Sequence, residues 1–472
     1  MTQHNYALTI NGQRVHSADT AQAINPATEE PICDYPLATR EHLEEAVAAA
    51  KRAFPAWAAT PLVERQQLVS QLGDLIEANQ EAFINLLITE QGKGRAAAEW
   101  EIGGSVYWCR EIAKQSLAEE VVSRDGDDEI VTRYTPIGVI GGITPWNFPL
   151  LLAVWKIAPA LVAGNTMVLK PSPYTPLCTL WFGELAQTVL PAGVLNILSG
   201  SNELGQWITE HPAIGKIAFT GSTATGRKVM QSAAGNLKRL TLELGGNDPA
   251  IVLPDVDAKA IAKDLFWASF ANSSQFCVAC KRMYVHEDVY DDVARELVAY
   301  AKTVKVGNGM ETGTELGPLQ NKMQYDKVSQ LLADSRDAGL KFLLGGTPEQ
   351  KPGYFIPVTL VDNPPEDSRV VVEEAFGPVL PLLKYKDVED VIARANNTEY
   401  GLAATVWGKD LEKASAIARR IEAGTVWVNH VHVFAPNIAF GGHKQSGVGI
   451  ENSLHGLAEY CNMQTVMRKA LA

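Results

Sequence analysis

The fold of this chain is decided by residues 137–149, which read Ile137-Gly138-Val139-Ile140-Gly141-Gly142-Ile143-Thr144-Pro145-Trp146-Asn147-Phe148-Pro149. A β-like apolar run, Ile137–Ile143, ends here in a polar loop. A helical pattern at Leu151–Ala163 and a second β-like run at Thr166–Leu169 follow. Strand, loop, helix and strand in this order predict a βαβ unit, which places the chain in the α/β class.

A second strand and turn follow at Lys216–Phe219 and Thr220–Gly226, with a helix expected from Arg227. A glycine-rich turn between a strand and a helix start presents free backbone N–H groups, which bind phosphate oxygens. The turn therefore indicates a dinucleotide site. Because its spacing is not GxGxxG, a simple βα turn is the alternative.

A single carboxylate interrupts the next β-like run, Leu240–Leu244, just before the paired glycines Gly245 and Gly246. A buried carboxylate is costly, so Glu243 is predicted either to have a catalytic task or to form a structural salt bridge. The paired glycines are typical of a hinge. Beyond them, strands at 250–253 and 282–285 alternate with helices at 257–271 and 287–304, which predicts a second α/β domain.

Residues 118–136 differ in character from the rest of the chain. Two β-like arms flank Asp125-Gly126, a favoured hairpin turn, and both arms carry charges on both sides. Because an isolated two-stranded hairpin is marginal, we predict either an arm completed by another subunit or an ordinary surface hairpin. The tail at Glu459–Met467 also has a strand pattern, with no partner evident in the sequence.

Length and charge exclude several classes of protein. At 472 residues the chain is too long for one core, and two or three domains are expected. The net charge of −13 argues against nucleic acid or an anionic membrane surface as a partner. Six scattered cysteines fit a reducing compartment, and the start of the chain shows no signal peptide. We expect a cytoplasmic enzyme without a membrane segment.

Cys277 directly follows a polar break, Asn272-Ser273-Ser274, that ends an apolar helical run. The nearby cations Lys281 and Arg282 would favour its thiolate form. For any single cysteine, a buried structural role is the alternative.

Metal binding is not predicted for this chain. Cys280 forms a CxxC pair with Cys277, but no second such pair appears, so a zinc or redox role is disfavoured. His430 and His432 alternate on a β-like stretch without an evident third ligand. We expect them to be structural residues or to lie at a pocket rim.

Taken in order, these segments resemble the aldehyde dehydrogenase superfamily over essentially the whole chain. Each marker alone is weak, and their occurrence together in family order is specific. The markers are Pro145–Pro149, Val168–Ser172, Phe219–Thr223, Glu243–Gly246, Asn272 with Gln275 and Cys277, Glu374–Pro378, and Phe440–Gly442 with Lys444 and Ser446–Gly447.

The resemblance implies a hydrolytic, NAD(P)-dependent mechanism. Cys277 would add as a thiolate to the aldehyde carbon, and its own backbone N–H and the side-chain amide of Asn147 would bind the oxyanion. Loss of hydride to the nicotinamide would turn the thiohemiacetal into a thioester. Glu243 would then activate the water that hydrolyses this thioester, and no metal is required.

The resemblance also assigns the cofactor and substrate residues. The cofactor positions are Ile143, Thr144, Pro145, Trp146, Lys170, Ser172, Gly205, Phe219, Gly221, Ser222, Leu244, Glu374 and Phe376. The substrate tunnel would be lined by Phe148, Leu152, Trp155, Phe276, Phe434 and Phe440. That wall carries no charge, and an unpaired charged end of a substrate would be costly against it. The predicted substrate is a neutral, hydrophobic aldehyde, either aromatic or medium-chain aliphatic.

Four positions depart from the family pattern. NAD-preferring members usually carry Glu three residues after the lysine, where this chain has Pro173, so both NAD and NADP are retained, with NAD favoured. Ser274 replaces a common Gly beside the nucleophile, which would change the flexibility of that loop. Ala439 replaces a common Pro, and Ile450 a common Arg.

The resemblance further implies a domain map. It expects a Rossmann-like dinucleotide-binding domain over 1–117 and 137–245, a catalytic α/β domain over 246–435, and a β oligomerisation arm from 118–136 and 458–472, while 436–457 returns to the first domain. A homodimer or homotetramer is expected. The alternatives are a semialdehyde dehydrogenase, a coenzyme-A-acylating dehydrogenase and a non-catalytic scaffold of the same fold. Glu243 argues against transfer to coenzyme A, and the intact Cys277, Asn147 and Glu243 argue against a scaffold.

Overall fold

The structure, a computed structural model, describes residues 4–349 and 351–470. Residues 1–3, at the start where no signal peptide was expected, residue 350, and residues 471 and 472, at the end of the predicted arm, lie outside the described residues.

Several helices of the described chain begin or end at capping residues. The carboxylate of Asp257, for example, accepts from the N–H groups of Lys259 and Ala260, and Gly92, with φ of 93°, ends the third helix. The helices are α1 Arg40–Ala59, α2 Leu62–Ala78, α3 Gln80–Gln91, α4 Arg95–Ile112, α5 Leu151–Val162, α6 Leu177–Ala186, α7 Asn202–Glu210, α8 Thr223–Ala233, α9 Ala258–Phe270, α10 Tyr290–Ala301, α11 Lys322–Asp337, α12 Arg369–Val372, α13 Val388–Asn396, α14 Leu411–Ala418 and α15 Ser453–Ala458.

The strands form two large sheets and two small ones. They are β1 Leu8–Ile10, β2 Gln13–Val15, β3 Thr20–Ile24, β4 Pro31–Pro36, β5 Glu120–Asp125, β6 Asp128–Pro136, β7 Val139–Ile143, β8 Thr166–Lys170, β9 Leu195–Ile197, β10 Ile214–Thr220, β11 Arg239–Glu243, β12 Asp248–Val252, β13 Cys280–His286, β14 Phe342–Leu344, β15 Thr359–Asp362, β16 Val379–Tyr385, β17 Ala403–Trp407, β18 Thr425–Val428, β19 Gly447–Val448 and β20 Cys461–Arg468.

The first large sheet confirms the predicted βαβ unit and the Rossmann-like class. Its order is β19-β11-β10-β7-β8-β9-β1-β2, and the five strands from β11 to β9 are parallel. The chain builds β7, β8 and β9 outward to one side, and then returns to place β10 and β11 on the other side of β7. The strand order therefore reverses between β7 and β10, where ligands bind in open α/β sheets.

The second large sheet holds the strands from β12 to β18 in the order β14-β15-β16-β13-β12-β17-β18. Its residues alternate between two hydrophobic clusters: Ile251 and Tyr284 pack on one face, and Val252 and Met283 on the other. All seven strands lie within residues 246–435, the range expected for the second α/β domain. The chain crosses from β11 to β12 at the paired glycines.

The arm is a three-stranded sheet, β20-β6-β5, formed within the chain. The tail, for which the sequence suggested no partner, pairs with β6 from Cys461 opposite Pro136 to Arg468 opposite Glu129. The hairpin turn lies one residue later than predicted. Asp125 pairs with Asp128, so the two-residue loop is Gly126-Asp127, with Gly126 at φ of 57°.

One helix boundary differs from the sequence prediction. Helix α8 begins at Thr223, four residues before the expected start at Arg227. The reason is Ser222, whose side chain accepts from the N–H of Thr225 at 3.3 Å and starts the helix inside the supposed turn. The phosphate-binding turn is thus shorter than the predicted Thr220–Gly226.

Candidate active site

The predicted cofactor residues gather at one edge of the first sheet. Ile143, Lys170, Thr220 and Glu243 end the neighbouring parallel strands β7, β8, β10 and β11. The loops that follow β7 and β10 flank the point where the strand order reverses. The fold therefore brings these segments, which are up to 100 residues apart, to one crevice.

The turn after β10 is shaped by two residues. The N–H of Gly221 donates to the carbonyl of Glu243 at 3.0 Å, and a Cβ atom at Gly221 would lie 2.5 Å from the ring of Phe219, so only glycine fits. Ser222, which is exposed, caps the 11-residue helix α8. Leu244 packs against this helix, because a Cβ at Gly226 would lie 2.5 Å from its side chain.

A second group of cofactor residues meets beside β7 and β8. A Cβ atom at Gly205 would make ordinary van der Waals contacts of 3.9 Å with the side chains of Ile143 and Lys170, so Gly205 lies next to both. The Lys170 ammonium is buried and donates to the carbonyl of Pro171 at 3.1 Å. Burial lowers its pKa to about 8. Two of its three hydrogens have no acceptor among the described residues, which fits a lysine that donates hydrogen bonds to ribose oxygens.

The remaining cofactor positions face these residues from two sides. The rings of Trp146 and Phe376 meet edge to face with centroids 5.3 Å apart, which joins the loop after β7 to the segment after α12. Ser172 and Thr144 are buried, and Pro145 is half-buried. The hydroxyl of Thr144 has no hydrogen-bond partner within the described chain.

Glu374 lies directly against the paired glycines. A Cβ at Gly245 would overlap its carboxylate, and the N–H of Gly246 donates to Glu374 Oε1 at 3.2 Å. A Cβ at Gly246 would also lie 3.0 Å from the carbonyl oxygen of Cys277. The paired glycines are thus required by close packing, which places Glu374 and Cys277 on either side of them.

The loop before the candidate nucleophile has an unusual backbone. Asn272, Ser273 and Ser274 have φ of 53°, 55° and 59°, three left-handed residues in succession. Their conformation is held by side chains: the Ser273 hydroxyl donates to the carbonyl of Gly317 at 2.7 Å, and the Ser274 hydroxyl to that of Ser269 at 2.5 Å. Strain of this kind persists only where the surroundings enforce it.

The structure separates the two cysteines of the CxxC pair. Cys277 is partly exposed, whereas Cys280 is buried. Burial raises the pKa of Cys277 to about 12; the positive charge of Lys281 lowers it, and the negative charges of Asp248, Glu243 and Glu374 raise it. Among the described residues, the N–H of Cys277 donates to no protein acceptor.

Lys281 holds the backbone of this loop. Its ammonium donates to the carbonyls of Phe276, Cys277 and Ala279 at 3.1, 2.7 and 3.1 Å, and lies 3.6 Å from Glu374. A buried cation this close would favour the thiolate form of Cys277.

Asn147 is brought to the same loop. Its side-chain N–H donates to the carbonyl of Gln275 at 3.0 Å, two residues before the thiol. An amide NH₂ carries two hydrogens, so the second remains for an oxyanion. The Asn147 amide thus reaches the loop that carries the N–H of Cys277.

Glu243 is buried, and neither carboxylate oxygen has a hydrogen-bond partner within the described chain. Burial raises its pKa well above the usual value; the charge of Glu451 raises it further, and that of Lys156 lowers it. Lys156 and Glu451 form a buried ion pair at 2.7 Å. The structural salt bridge considered for Glu243 is absent within residues 4–349 and 351–470, because Lys156 pairs with Glu451 instead.

Five of the six predicted tunnel residues form one connected group of rings. Phe148 meets Phe276 at 4.7 Å, Phe276 meets Phe434 at 6.0 Å, and Trp155 and Phe440 both meet Phe434 and each other at 5.7–6.4 Å. The sixth, Leu152, is half-buried against the same core. Phe276 and Cys277 are both partly buried against the core that holds this aromatic wall.

His432 joins the aromatic wall as a rim residue. Its ring centroid lies 4.7 Å from that of Phe276, and burial lowers its pKa to about 4, so the imidazole is neutral near pH 7. No group of three His, Cys, Asp or Glu side chains that could hold a metal ion occurs within residues 4–349 and 351–470. No described helix is long and apolar enough to cross a bilayer.

One face of α4 extends the aromatic wall and was missed in the sequence. Trp100, Gly103, Gly104 and Tyr107 follow helical spacing, and the ring of Trp100 lies 5.9 Å from that of Phe148. A Cβ at Gly103 would meet no atom within 4 Å, so the helix surface at this residue, here called the notch, is open. Two adjacent glycines inside an 18-residue helix were the signal, since each costs about 1 kcal/mol there.

Comparison with known proteins gives a consistent result. The aldehyde dehydrogenase family model matches residues 14–466. A putative aldehyde dehydrogenase of Gibberella moniliformis, FUS7, is 40% identical over 97% of this chain and 97% of its own length. Retinaldehyde dehydrogenase 3 of Homo sapiens is 41% identical over 94% of this chain and 89% of its own length. The solved NAD⁺ complex of an aldehyde dehydrogenase from Bacillus cereus has a TM-score of 0.96 at 37% identity, covering 98% of this chain and 96% of its own.

Proposed function

The chain belongs to the aldehyde dehydrogenase family, and on that premise we propose that it oxidises neutral, hydrophobic aldehydes, aromatic or medium-chain aliphatic, to carboxylic acids. The family is NAD(P)-dependent. Bound NAD(P)⁺ supplies the hydride acceptor for this reaction. The residues at the carboxyl edge of the first sheet fit such a dinucleotide, because two of the three Lys170 hydrogens and the Thr144 hydroxyl have no partner among the described residues.

The first step on this chain is attack by Cys277. Its thiolate forms a bond to the aldehyde carbon, and the carbonyl electron pair moves to oxygen, giving the thiohemiacetal oxyanion. The N–H of Cys277 and the second hydrogen of the Asn147 amide donate to this oxyanion. Lys281 favours the thiolate electrostatically, since its ammonium is fixed on the carbonyl of Cys277.

The last step is hydrolysis of the thioester. Glu243, when ionised, takes a proton from water, the water oxygen bonds to the acyl carbon, and the carbon–sulfur bond breaks to return the Cys277 thiolate and the acid. Coenzyme A transfer would make no use of this base. We therefore expect added coenzyme A to leave the rate of reduced cofactor formation unchanged.

The substrate class rests on one observation, the connected ring wall that includes Phe276, the residue before Cys277. Its polar member, His432, is neutral near pH 7 and so offers no charge to a carboxylate or an ammonium group. A charged substrate end buried against this wall without a partner would cost several kcal/mol. The notch at Gly103 adds room for a planar group.

A kinetic panel tests the proposal. Initial rates at 340 nm with octanal and phenylacetaldehyde should give kcat/KM at least about tenfold above betaine aldehyde and succinic semialdehyde, a difference of about 1.4 kcal/mol. Gly103→Leu should lower kcat/KM for phenylacetaldehyde and leave propanal unaffected, because the leucine would fill only the notch. Equal or better kcat/KM for either charged aldehyde would overturn the substrate class.

For the cofactor we propose NAD, with NADP accepted. Pro173 stands where a carboxylate would accept from the ribose hydroxyls and repel a 2′-phosphate. Its absence leaves NADP a possible ligand, and the Bacillus cereus relative was solved with NAD⁺. Pro173→Glu should raise KM for NADP at least about tenfold and leave KM for NAD unchanged or lower. A wild-type preference for NADP would contradict the assignment.

A further inference from the structure

We infer that the buried ion pair of Lys93 and Glu101 positions the oxyanion amide of Asn147. The inference rests on the proposed function, in which Asn147 donates to the oxyanion. Neither Lys93 nor Glu101 reaches the candidate nucleophile loop directly. Both act on the short segment from Asn147 to Leu151, which carries the amide into the site.

The contacts are direct and fully enclosed. The Lys93 ammonium lies 2.5 Å from Glu101 Oε2, and both side chains have no exposed surface. The same ammonium donates to the backbone carbonyl of Asn147 at 2.9 Å, and stands 4.1 Å from the centre of the Phe148 ring. Asn272 donates to the same carbonyl at 3.1 Å. The backbone of Asn147 is therefore fixed by two donors while its amide reaches Gln275.

Glu101 holds the other end of the segment. Its Oε1 accepts from the N–H groups of Leu150 and Leu151 at 3.0 and 3.3 Å. Helix α5 begins at Leu151 without a capping side chain of its own. Glu101, which lies on α4, therefore takes the place of a local cap and sets where α5 begins. That start determines how far the loop carrying Asn147 extends from the sheet.

The backbone around Lys93 is also tied to the nucleophile side. A Cβ at Gly309 would overlap the carbonyl of Lys93, so the segment before α11 packs directly on it. In the same segment, the carbonyl of Gly317 accepts a hydrogen bond from the hydroxyl of Ser273, which lies in the loop before Cys277. Lys93 is thus held against the part of the chain that shapes the nucleophile loop.

An isolated buried ion pair is seldom retained for stability. Removing two charges from water costs several kcal/mol each, and a hydrophobic pair of equal volume is often as stable. Here each charge has further acceptors or donors that lie only on the segment from Asn147 to Leu151. Burial lowers the pKa of Lys93 while the Glu101 charge raises it, so Glu101 helps Lys93 to keep its charge. The geometry therefore points to positioning.

The test uses Lys93→Met and Glu101→Gln, with Glu90→Gln as the matched control. Glu90 is also a fully buried carboxylate that accepts from two backbone N–H groups at a helix start, at α6, and it does not touch Asn147. We expect Lys93→Met and Glu101→Gln to lower kcat by about 10- to 100-fold, less than the about 10²- to 10³-fold loss expected for Asn147→Ala. KM for NAD should stay within twofold of wild type in all three variants. For the control Glu90→Gln, kcat should also stay within twofold of wild type.

Two further readouts separate positioning from general damage. Alkylation of Cys277 by iodoacetamide needs no oxyanion donor, so its rate should be unchanged in Lys93→Met, whereas a damaged fold would expose the partly buried thiol and change that rate. Lys93→Met added to Asn147→Ala should lower kcat by less than about twofold more, because residues that act through one group are not additive. Lys93→Arg should restore part of kcat.

The outcomes are distinguishable. If the losses of Lys93→Met and Asn147→Ala multiply, or if Glu101→Gln keeps wild-type kcat, the positioning role is wrong. If Asn147→Ala itself keeps wild-type kcat, the proposed oxyanion role fails first.

Discussion

Ser274 shows how a single residue can depart from a family pattern and still fit. Its φ of 59° lies in the left-handed region, which explains why glycine is common at this position. The hydroxyl offsets part of that cost by donating to Ser269 at 2.5 Å. This hydrogen bond ties the loop to the end of α9, and the change in loop flexibility stays a prediction. Ile450 packs against Gly441, and nothing in the structure explains Ala439.

We expect Ser274→Gly to be nearly neutral and Ser274→Val to be destabilising. Glycine removes a left-handed cost of about 1 kcal/mol but loses one hydrogen bond of about the same worth. Valine keeps the cost of the left-handed backbone and loses the hydrogen bond of the hydroxyl. Its β-branched side chain is also poorly suited to a positive φ. Thermal denaturation should give a Tm for Ser274→Gly within about 2 °C of wild type, and a clearly lower Tm for Ser274→Val. A large drop in Tm for Ser274→Gly would show that the hydrogen bond of the hydroxyl contributes more to stability than the left-handed backbone costs.

Glu243 predicts a pH dependence of the hydrolytic step. A carboxyl with a raised pKa acts as a base only above that pKa, so the rate falls as the pH is lowered through it. Glu451→Gln removes a neighbouring negative charge and should move the acidic limb of kcat to lower pH. Lys156→Met removes the cation that lowers this pKa, and should move the limb to higher pH. Profiles that coincide with wild type in both variants would contradict this electrostatic account.

Helix α6 begins at a second buried carboxylate whose pKa is raised, that of Glu90. Its first N–H groups, those of Leu177 and Cys178, donate to the buried carboxylate of Glu90 at 2.8 and 2.9 Å. Burial raises the pKa of Glu90 to about 7, against about 4.3 in an unfolded chain. Between these values the folded protein keeps a proton that the unfolded chain has released, so stability falls as the pH rises from about 4 to about 7.

Glu90→Gln should remove this pH dependence. The variant keeps an acceptor for the helix start but has no proton to lose, so its Tm should fall less than that of wild type between pH 5 and pH 7.5. The difference corresponds to on the order of 3 kcal/mol, since one pKa unit is worth about 1.4 kcal/mol. Parallel Tm profiles would mean that Glu90 titrates normally in the folded protein.

The elements also show what the sequence can and cannot predict. The βαβ unit around Asn147 and the second α/β unit were predictable, because their apolar periodicities are local. The start of α8 at Thr223 was not, since Gly226 made the first turn of the helix look like a loop. The partner of the tail was invisible because β6 and β20 pair across more than 300 residues. Nothing in the sequence marked Lys93 or Glu101, because it is the packing of α4 on α5 that brings Glu101 to the N–H groups of Leu150 and Leu151.

For the whole molecule we propose the division of labour that the resemblance implied. The first sheet would bind the cofactor, the second would carry the nucleophile, and the arm would join subunits. The motif residues meet in space because both sheets present their ends to the glycines between β11 and β12. Roles for Cys277, Asn147 and Glu243 came from family motifs, whereas the notch of α4 required the structure.

The arm predicts a homodimer or homotetramer. Its apolar side chains are exposed in the single chain: Val121, Val122, Met463, Val466 and Met467. Sizing chromatography should show no 51.2 kDa monomer at micromolar concentration. Val122→Asp should shift elution toward the monomer, whereas the same substitution at Val63, a more exposed valine on α2, should not. A monomeric wild-type protein, or an unchanged Val122→Asp, would contradict a role of the arm in assembly.

The central claim is that Cys277 is the nucleophile and Cys280 its buried neighbour. The most direct measurement is the 340 nm rate with octanal and NAD⁺ for Cys277→Ser and Cys280→Ser side by side. We predict that Cys277→Ser loses at least about 10³-fold in kcat while Cys280→Ser stays within about fivefold of wild type. Near wild-type activity of Cys277→Ser, or loss only in Cys280→Ser, would contradict the account.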